Sequence, residues 1–257
     1  MITFSNLGSK GRLGNQLFQY AFLYCSALIH NYEACTPVLS SKSWHGQDCL
    51  LKKLSISLPE NTYIGKNKYS EISSNVLLDD SDIDGFFQFT CYFPKYLNLL
   101  KKEFSIVNPK SIKEEGIPCI HIRLGDNIRE NGEVYSDDIF GGKYYSFLKK
   151  TIESINSDSF LIMTGGSRNN DRESLDLDKK ICSAYLLKDI DRKFIFTNNL
   201  DPIEDFQLMV QASSLILSPL STYSLWAGYL NNNTVYANPD FYLDGRSHNL
   251  YLDHWKS

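Results

Sequence analysis

The spacing of apolar residues predicts regular alternation of strands and helices in the second half of the chain. Apolar runs typical of buried strands lie at 119–124, 160–164, 194–197, 215–217 and 235–237. Helical spacing of apolar residues predicts helices over 143–155, 171–182, 203–212 and 222–230. Repeated β-α units of this kind predict a doubly wound parallel sheet, in which ligands bind beyond the carboxyl ends of the strands.

The first half of the chain is less regular. We expect a strand at 2–6, a loop with three glycines, and a helix over about 15–29. A short strand is expected at 76–78 and a helix near 94–104, whereas 36–74 shows no sustained periodicity. Proline and polar residues at 108–111 predict a linker, which divides the chain into an N-terminal lobe, 1–112, and a C-terminal lobe, 113–257.

Composition narrows the class of protein. The 257 residues suffice for one large or two small domains. With 26 basic and 30 acidic side chains, the chain lacks the clustered positive charge of a nucleic-acid binder. Its apolar runs are too short to span a bilayer, and its first residues do not resemble a secretory signal. We therefore expect a cytoplasmic protein, with at most peripheral contact at the inner face of the membrane.

The cysteines and a small group of possible metal ligands carry little functional signal. Six cysteines are scattered without a Cys-x-x-Cys pair, which favours reduced thiols in the core or at the surface. His45, Asp48 and Cys49 lie close together, but a few ligands in one loop rarely make a zinc site. We therefore predict no metal site.

The glycine loop near the start of the chain is a candidate phosphate site. The first strand leads through Gly11 into Gly14-Asn15-Gln16, where the first helix is expected to open. Glycine lets backbone approach a ligand closely, and the N–H groups at a helix N-terminus favour an anion. A plain strand-to-helix turn explains the same pattern equally well.

A second candidate follows the strand at 119–124. Strand alternation puts His121 and Arg123 on one face and the neighbouring apolar residues on the other. An arginine at a strand end is suited to bidentate binding of phosphate. The alternative is an Arg123–Asp126 ion pair that shapes the turn, and we expect Asp126 to orient the arginine or the loop. His121 is either a catalytic residue or a satisfied core histidine.

Further candidates follow other strands of the same sheet. Ser221, Thr222 and Ser224 open the helix at 222–230, where hydroxyl and N–H groups form another anion cradle unless they only cap the helix. Asp205, at the start of another helix, either accepts a ribose hydroxyl or guanine N–H or only favours the helix dipole. A glycine turn at 165–166 belongs to the same edge. Several such turns together favour a nucleotide site.

Taken in order, these segments resemble the α-1,2-fucosyltransferases, the family 11 glycosyltransferases. The resemblance covers 11 to about 239 and rests on five motifs: GRLGNQLFQYA at 11–21, GFFQ at 85–88, HIRLGD at 121–126, DFQLM at 205–209 and STYSLWAGYL at 221–230. It implies an α/β, GT-B-like fold of two Rossmann-like lobes. It further implies that the donor is held mainly by the C-terminal lobe, that the acceptor glycan lies between the lobes, and that neither a cofactor nor a metal is required.

The resemblance also implies the reaction and the roles of the candidates. We expect inverting transfer of L-fucose from GDP-β-L-fucose to the 2-hydroxyl of a galactose-type glycan. Arg123 is expected to bind the diphosphate, Gly14-Asn15-Gln16 to approach the donor from the other lobe, and 221–224 to lie at the phosphates. The general base stays open among His121, Asp126 and the acids at 137–138. The acceptor, which in O-antigen or capsule synthesis can be lipid-linked, is expected to face the loops at 36–74 and 127–142.

The chain departs from the family pattern at two positions. Leu124 stands where the family commonly has a second arginine, and Leu225 replaces the first of two paired tryptophans. Both changes bear on the donor sugar or the acceptor. Alternative functions therefore include transfer of another sugar from a nucleotide diphosphate, a catalytically silent protein that binds glycan or nucleotide, and a purely structural α/β domain.

Overall fold

The computed structural model describes residues 1–39, 49–72, 76–89, 92–109, 116–124, 142–164, 172–197, 201–238, 250, 252 and 254–257. The chain divides into two compact units, Met1–Pro109 and Lys110–Ser257. Each unit contains its own parallel β-sheet. The boundary predicted at 112/113 falls within 110–115, outside the described residues.

The N-terminal unit is built on a four-stranded sheet with the strand order β2-β1-β4-β3. The strands are β1 (Ile2–Thr3), β2 (Ala34–Cys35), β3 (Asn67–Ser70) and β4 (Ser81–Asp84), and all pairs are parallel. The helices among its described residues are α1 (Leu13–His30) and α2 (Leu97–Glu103), with short 3-10 helices at Leu50–Lys53 and Pro94–Tyr96. Helix α1 ends at Asn31, which adopts the left-handed conformation that commonly terminates helices.

The strand predicted at 76–78 is wrong. Val76 and Leu78 are exposed, and the strand lies further along the chain at β4. Asp82 is buried in β4 because its carboxylate accepts hydrogen bonds from the Thr3 hydroxyl at 3.0 Å and from the Ser5 N–H at 2.8 Å, and pairs with Lys68 at 2.7 Å. A buried charge that is fully paired can occupy a strand that hydrophobic patterning does not reveal.

The C-terminal unit has a five-stranded parallel sheet with the strand order β7-β6-β5-β8-β9. Its strands are β5 (Cys119–Ile122), β6 (Ser159–Thr164), β7 (Lys193–Phe196), β8 (Ser214–Ile216) and β9 (Thr234–Tyr236). From β5 the chain builds outward to β7 and then returns to the other side of β5 for β8. This reversal is a topological switch point, where doubly wound sheets bind ligands.

In the described part of this unit, four helices connect the strands: α3 (Gly142–Ser154), α4 (Arg172–Ile181), α5 (Pro202–Gln211) and α6 (Thr222–Leu230). A π-helical turn, Cys182–Leu186, extends α4. Inward side chains of β5, β6, α3 and α4 form one hydrophobic core, which includes Ile120, Ile122 and Leu124. Alternation along β5 therefore separates the apolar face from the face of His121 and Arg123, as the sequence predicts.

The final residues close one edge of this sheet. The N–H of Lys256 donates to the carbonyl of Val235 at 2.9 Å, beside edge strand β9. The Trp255 ring stacks on Tyr229 of α6, with 5.2 Å between ring centroids. It also lies so close to Gly228 that an added Cβ there would be 3.1 Å from the indole. The Trp255 ring therefore packs closely against helix α6 at Gly228 and Tyr229.

The described cysteines are free thiols and all are buried: Cys25, Cys35, Cys49, Cys119 and Cys182. Burial raises the pKa of the Cys25 and Cys119 thiols to about 12. These observations agree with the predicted reduced core thiols, whereas Cys91 lies outside the described residues. Of the helices that the structure describes, none has the length and apolarity needed to cross a bilayer.

Candidate functional site

The topology brings Arg123 and the start of helix α6 to the switch point of the C-terminal sheet. Strands β5 and β8 are parallel neighbours, with Cys119 opposite Leu215 and Ile120 opposite Ile216. Arg123 directly follows β5, and the turn 217–221 follows β8. The carboxyl ends of two adjacent strands thus present the arginine and a helix N-terminus side by side.

Two hydrogen bonds attach Arg123 to the turn after β8. Its backbone N–H donates to the Ser218 hydroxyl at 2.8 Å, and its Nη1 donates to the carbonyl of Leu220. Leu220 has a φ of 51°, in the left-handed region that leucine rarely occupies. The half-buried guanidinium therefore lies over the turn that leads into α6.

The three predicted hydroxyl residues of α6 differ in their accessibility. Ser221 caps the helix, because its Oγ accepts the N–H of Ser224 at 3.3 Å. The Ser224 hydroxyl is fully buried and donates to the Ser221 carbonyl at 3.3 Å. Thr222 is only half-buried. Of the three side chains, that of Thr222 is the most accessible to a bound anion, while the two serines shape the helix start.

The first turn of α6 also has the electrostatic character of an anion site. Its leading N–H groups have no acceptors within the helix and form the positive end of the helix dipole. The first turn contains no acidic residue. With the guanidinium of Arg123 beside it, this arrangement can hold a diphosphate by charge-assisted hydrogen bonds.

His121 lies in the interior, on the same face of β5 as Arg123. Its ring centroid is 5.6 Å from that of Tyr223, at the start of α6. Burial, and next the charge of Arg123, lower the pKa of His121 to about 3. The imidazole is therefore neutral at physiological pH and a poor general base. Its buried Nδ1 has no hydrogen-bond partner among the residues that the structure describes, so within that part of the chain His121 is not the satisfied core histidine of the alternative interpretation.

Asp205 occupies the first turn of α5 and is buried. Burial raises the pKa of its carboxyl to about 7, the charge of Asp201 acts in the same direction, and the Thr197 hydroxyl opposes them. Asp205 Oδ1 has no hydrogen-bond partner among the residues that the structure describes. A buried carboxyl with one unpartnered oxygen is typical of a functional site, so Asp205 stays a candidate for binding a ribose hydroxyl or a base.

In the N-terminal unit, the structure separates the roles of the predicted Gly14-Asn15-Gln16 group. Gly14 and Gln16 are buried in the first turn of α1, whereas Asn15 is half-exposed. The Gln16 side chain donates to the carbonyls of Gly8 and Gly11, both at 3.3 Å, and accepts the N–H of Leu50 at 3.1 Å. Gln16 therefore holds the glycine loop in place, and Asn15 is the member with access to a ligand.

Several predicted features lie outside the described residues. These are Asp126, the glycine turn at 165–166 and the acids at 137–138. The predicted Arg123–Asp126 pair and the identity of the general base therefore stay predictions.

The comparison with protein families decides the affiliation. The model of glycosyl transferase family 11 matches residues 3–257, nearly the whole chain. The chain belongs to this family. No curated protein sequence matches it significantly.

Solved structures show the fold of this family 11 protein. It is similar to fucosyltransferase NodZ from Bradyrhizobium, with a TM-score of 0.54 and 9% identity over 88% of this chain and 91% of that chain. A mutant of Arabidopsis thaliana FUT1 in complex with GDP matches with a TM-score of 0.47 and 10% identity, covering 96% of this chain and 72% of that chain. POFUT1 in complex with GDP also has a TM-score of 0.47 and 10% identity, over 90% and 94%. The NodZ likeness and the two parallel sheets confirm the predicted GT-B-like α/β class.

Both departures of this family 11 protein from the usual motifs lie in the hydrophobic interior. Leu124 is fully buried in the core of the C-terminal unit, and Leu225 is 1% exposed inside α6. Trp226 of the same helix is fully buried, whereas Tyr223 is half-buried. Both leucines therefore occupy positions where a charged or large polar side chain would be buried.

Two contributors to the site were missed by sequence reasoning. Ser218 accepts the Arg123 N–H, and its place directly after the β8 strand is the signal that could have identified it. Leu220 supplies the carbonyl that binds the guanidinium, and no sequence signal predicts a left-handed leucine.

Proposed function

We propose that this family 11 glycosyltransferase transfers L-fucose from GDP-β-L-fucose to the 2-hydroxyl of a galactose-type acceptor glycan, with inversion to an α-1,2 linkage. One observation carries the proposal: Arg123, at the arginine position of the family motif, is bonded to the turn that opens helix α6 at the switch point of the sheet. A departing nucleoside diphosphate gains negative charge, and the guanidinium of Arg123 beside the N-terminus of α6 supplies positive charge to stabilise it.

In this reaction the acceptor oxygen attacks C1 of fucose while the bond from C1 to the diphosphate oxygen breaks. The electron pair of that bond leaves with GDP, and the sugar passes through an oxocarbenium-like transition state. Negative charge grows on the diphosphate, where Arg123 and the N-terminus of α6 stabilise it. Removing one such preorganised contact typically lowers the rate by about 100- to 1,000-fold.

The remaining predicted residues have secondary roles in this proposal. Thr222 hydrogen-bonds a phosphate oxygen, and Ser221 and Ser224 keep the helix start in shape. Asp205, with a carboxyl pKa of about 7, binds the nucleoside part of GDP. Asn15 takes part in binding the donor. The proton of the acceptor hydroxyl passes to a general base, which stays open among His121, Asp126 and the acids at 137–138.

We further propose that the reaction needs neither a metal nor a cofactor and that the natural acceptor belongs to cell-surface glycan synthesis, lipid-linked forms included. Activity that survives EDTA and is not raised by Mg²⁺ or Mn²⁺ is the expected result. A requirement for a divalent ion would contradict this part of the proposal.

The central experiment incubates the purified protein with GDP-fucose and an array of galactose-terminated oligosaccharides, and identifies the product linkage by NMR. GDP-mannose and UDP-galactose serve as donor controls. Transfer from one of these instead of GDP-fucose would identify a different sugar transferase. GDP binding without transfer to any acceptor would indicate a silent binding protein, and failure of GDP to raise the melting temperature would favour a structural domain.

A further inference from the structure

The side chain of Asn15 lies in the first turn of helix α1. Helix α1 begins after Arg12 without a side-chain cap, and its first turn contains no acidic residue. Asn15 is half-exposed in that turn, while the side chain of the neighbouring Gln16 is hydrogen-bonded to the carbonyls of Gly8 and Gly11 in the glycine loop. The carboxamide of Asn15 is thus the accessible side-chain group of the Gly14-Asn15-Gln16 motif.

Two other residues fix the orientation of that carboxamide. Nε2 of Gln88 donates to Oδ1 of Asn15 at 2.9 Å. On another side lies Gly11, where an added Cβ would be 2.3 Å from Nδ2 and 2.7 Å from Cβ of Asn15. Gly11 also has a φ of 74°, which glycine adopts readily. The carboxamide therefore packs on the bare backbone of Gly11 and is bonded at its oxygen to Gln88.

Gln88 is itself held by a rigid neighbour. The ring of Phe87 is fully buried and stacks on Phe22 of α1, with ring centroids 3.8 Å apart. The carbonyl of Phe87 accepts the Tyr92 hydroxyl at 3.0 Å. Gln88 therefore reaches Asn15 from a backbone that is anchored on the same helix, although its own side chain is only half-buried.

We propose that Gln88 is a positioning residue for the glycosyl transfer, which acts by holding the Asn15 carboxamide in the orientation that binds the donor, with Gly11 providing the space. This inference rests on the proposed function. A hydrogen bond between two half-exposed amides adds little to stability, but a fixed orientation matters greatly for a group that binds a reacting molecule.

A double-mutant cycle tests the coupling. Gln88→Met keeps the length of the side chain but removes the donor, and Asn15→Ala removes the group that it positions. We expect Gln88→Met to lower kcat/KM for GDP-fucose by about 10- to 100-fold and Asn15→Ala by at least as much. The double variant should match Asn15→Ala alone, because Gln88 has nothing left to position. Asn98→Ala, which removes an exposed amide on helix α2 of the same unit, is the matched control and should keep full activity.

Melting temperatures and donor binding separate the possible outcomes. A positioning role leaves the melting temperature of Gln88→Met within about 3 °C of wild type. A large fall in melting temperature with unchanged activity per folded molecule would overturn the inference, as would multiplicative losses in the double variant. If the wild-type protein binds GDP-fucose without transferring fucose, the proposed function fails, and the same cycle is read from the calorimetric Kd. Wild-type protein that binds neither GDP-fucose nor GDP would overturn both.

Discussion

Replacement of Arg123 by alanine removes the guanidinium from the turn before α6 with little expected damage to the fold. The side chain is half-buried, and its Nη1 donates a hydrogen bond to the carbonyl of Leu220. The backbone N–H, which bonds Ser218, is kept in the variant. Loss of one partly exposed hydrogen bond from a charged group costs about 1 to 2 kcal/mol of stability.

The expected effect on catalysis is larger than the effect on stability. Loss of a contact to the departing diphosphate should lower kcat/KM by about 100- to 1,000-fold, which corresponds to about 2.7 to 4 kcal/mol of transition-state stabilisation. Arg123→Lys keeps the charge but loses the planar fork, so its activity should lie between wild type and Arg123→Ala. The order wild type, lysine, alanine distinguishes charge stabilisation from a purely steric effect.

The assay measures GDP release at several GDP-fucose concentrations, with thermal melting as the check on folding and calorimetry with GDP as a measure of ground-state binding. Arg192→Ala is the matched control, because Arg192 is an exposed arginine of the same unit whose Nη1 also donates to a backbone carbonyl, that of Asp191. Arg192→Ala should keep wild-type turnover. Folded Arg123→Ala with near-normal kcat/KM would refute the assignment of Arg123.

Three further predictions follow from buried or strained residues. Burial raises the pKa of Asp178 to about 7, so between about pH 4 and pH 7 the native protein holds a proton on this carboxyl that the unfolded chain has released. The free energy of unfolding should therefore fall by up to ~1.4 kcal/mol per pH unit as the pH rises through this range. Urea unfolding between pH 5 and 8 should show a shallower decline for Asp178→Asn, but an unchanged one for Asp176→Asn on the same helix. At Leu220, asparagine tolerates the left-handed backbone and valine does not. The free energy of unfolding should therefore rise by about 1 kcal/mol in Leu220→Asn and fall by about 1 kcal/mol in Leu220→Val, with melting temperatures in the same order. The reverse order would contradict the strain. Leu124→Arg, which restores the usual family residue, buries a charge in the core. It should therefore unfold the protein or lower its free energy of unfolding by more than about 3 kcal/mol. A stable and more active variant would show that Leu124 faces the site.

The C-terminal unit was predictable from the sequence because its local signals agree with its packing. Helix α6 has the bounds Thr222–Leu230 that the pattern predicts, since Pro219 ends the preceding segment and Ser221 caps the helix. Every strand of that sheet lies within a few residues of its predicted position. Continuous apolar runs mark strands that are buried on both faces, and helices of 3.6-residue periodicity lie between them.

The rest depends on contacts between residues far apart in the chain, which periodicity does not encode. Strand β4 carries two aspartates and is stable because Thr3, Ser5 and Lys68 satisfy Asp82. The bond from Gln88 to Asn15 joins residues separated by 73 positions. In the site, the pattern identifies Arg123 and Ser221, but only the fold shows that Leu220 joins them.

The buried cysteines offer a way to follow the opening of each half of the molecule separately. Cys25, Cys35 and Cys49 lie in the N-terminal unit, while Cys119 and Cys182 lie in the C-terminal unit. Only the thiolate reacts with alkylating reagents, so a buried thiol of raised pKa is labelled when its surroundings unfold. Labelling of each cysteine over time, followed by peptide mass, would therefore report how fast the N-terminal unit opens around Cys25, Cys35 and Cys49. Labelling of Cys119 and Cys182 would report the corresponding rate for the C-terminal unit. GDP should slow the labelling of Cys119 and Cys182 if it binds the C-terminal unit alone.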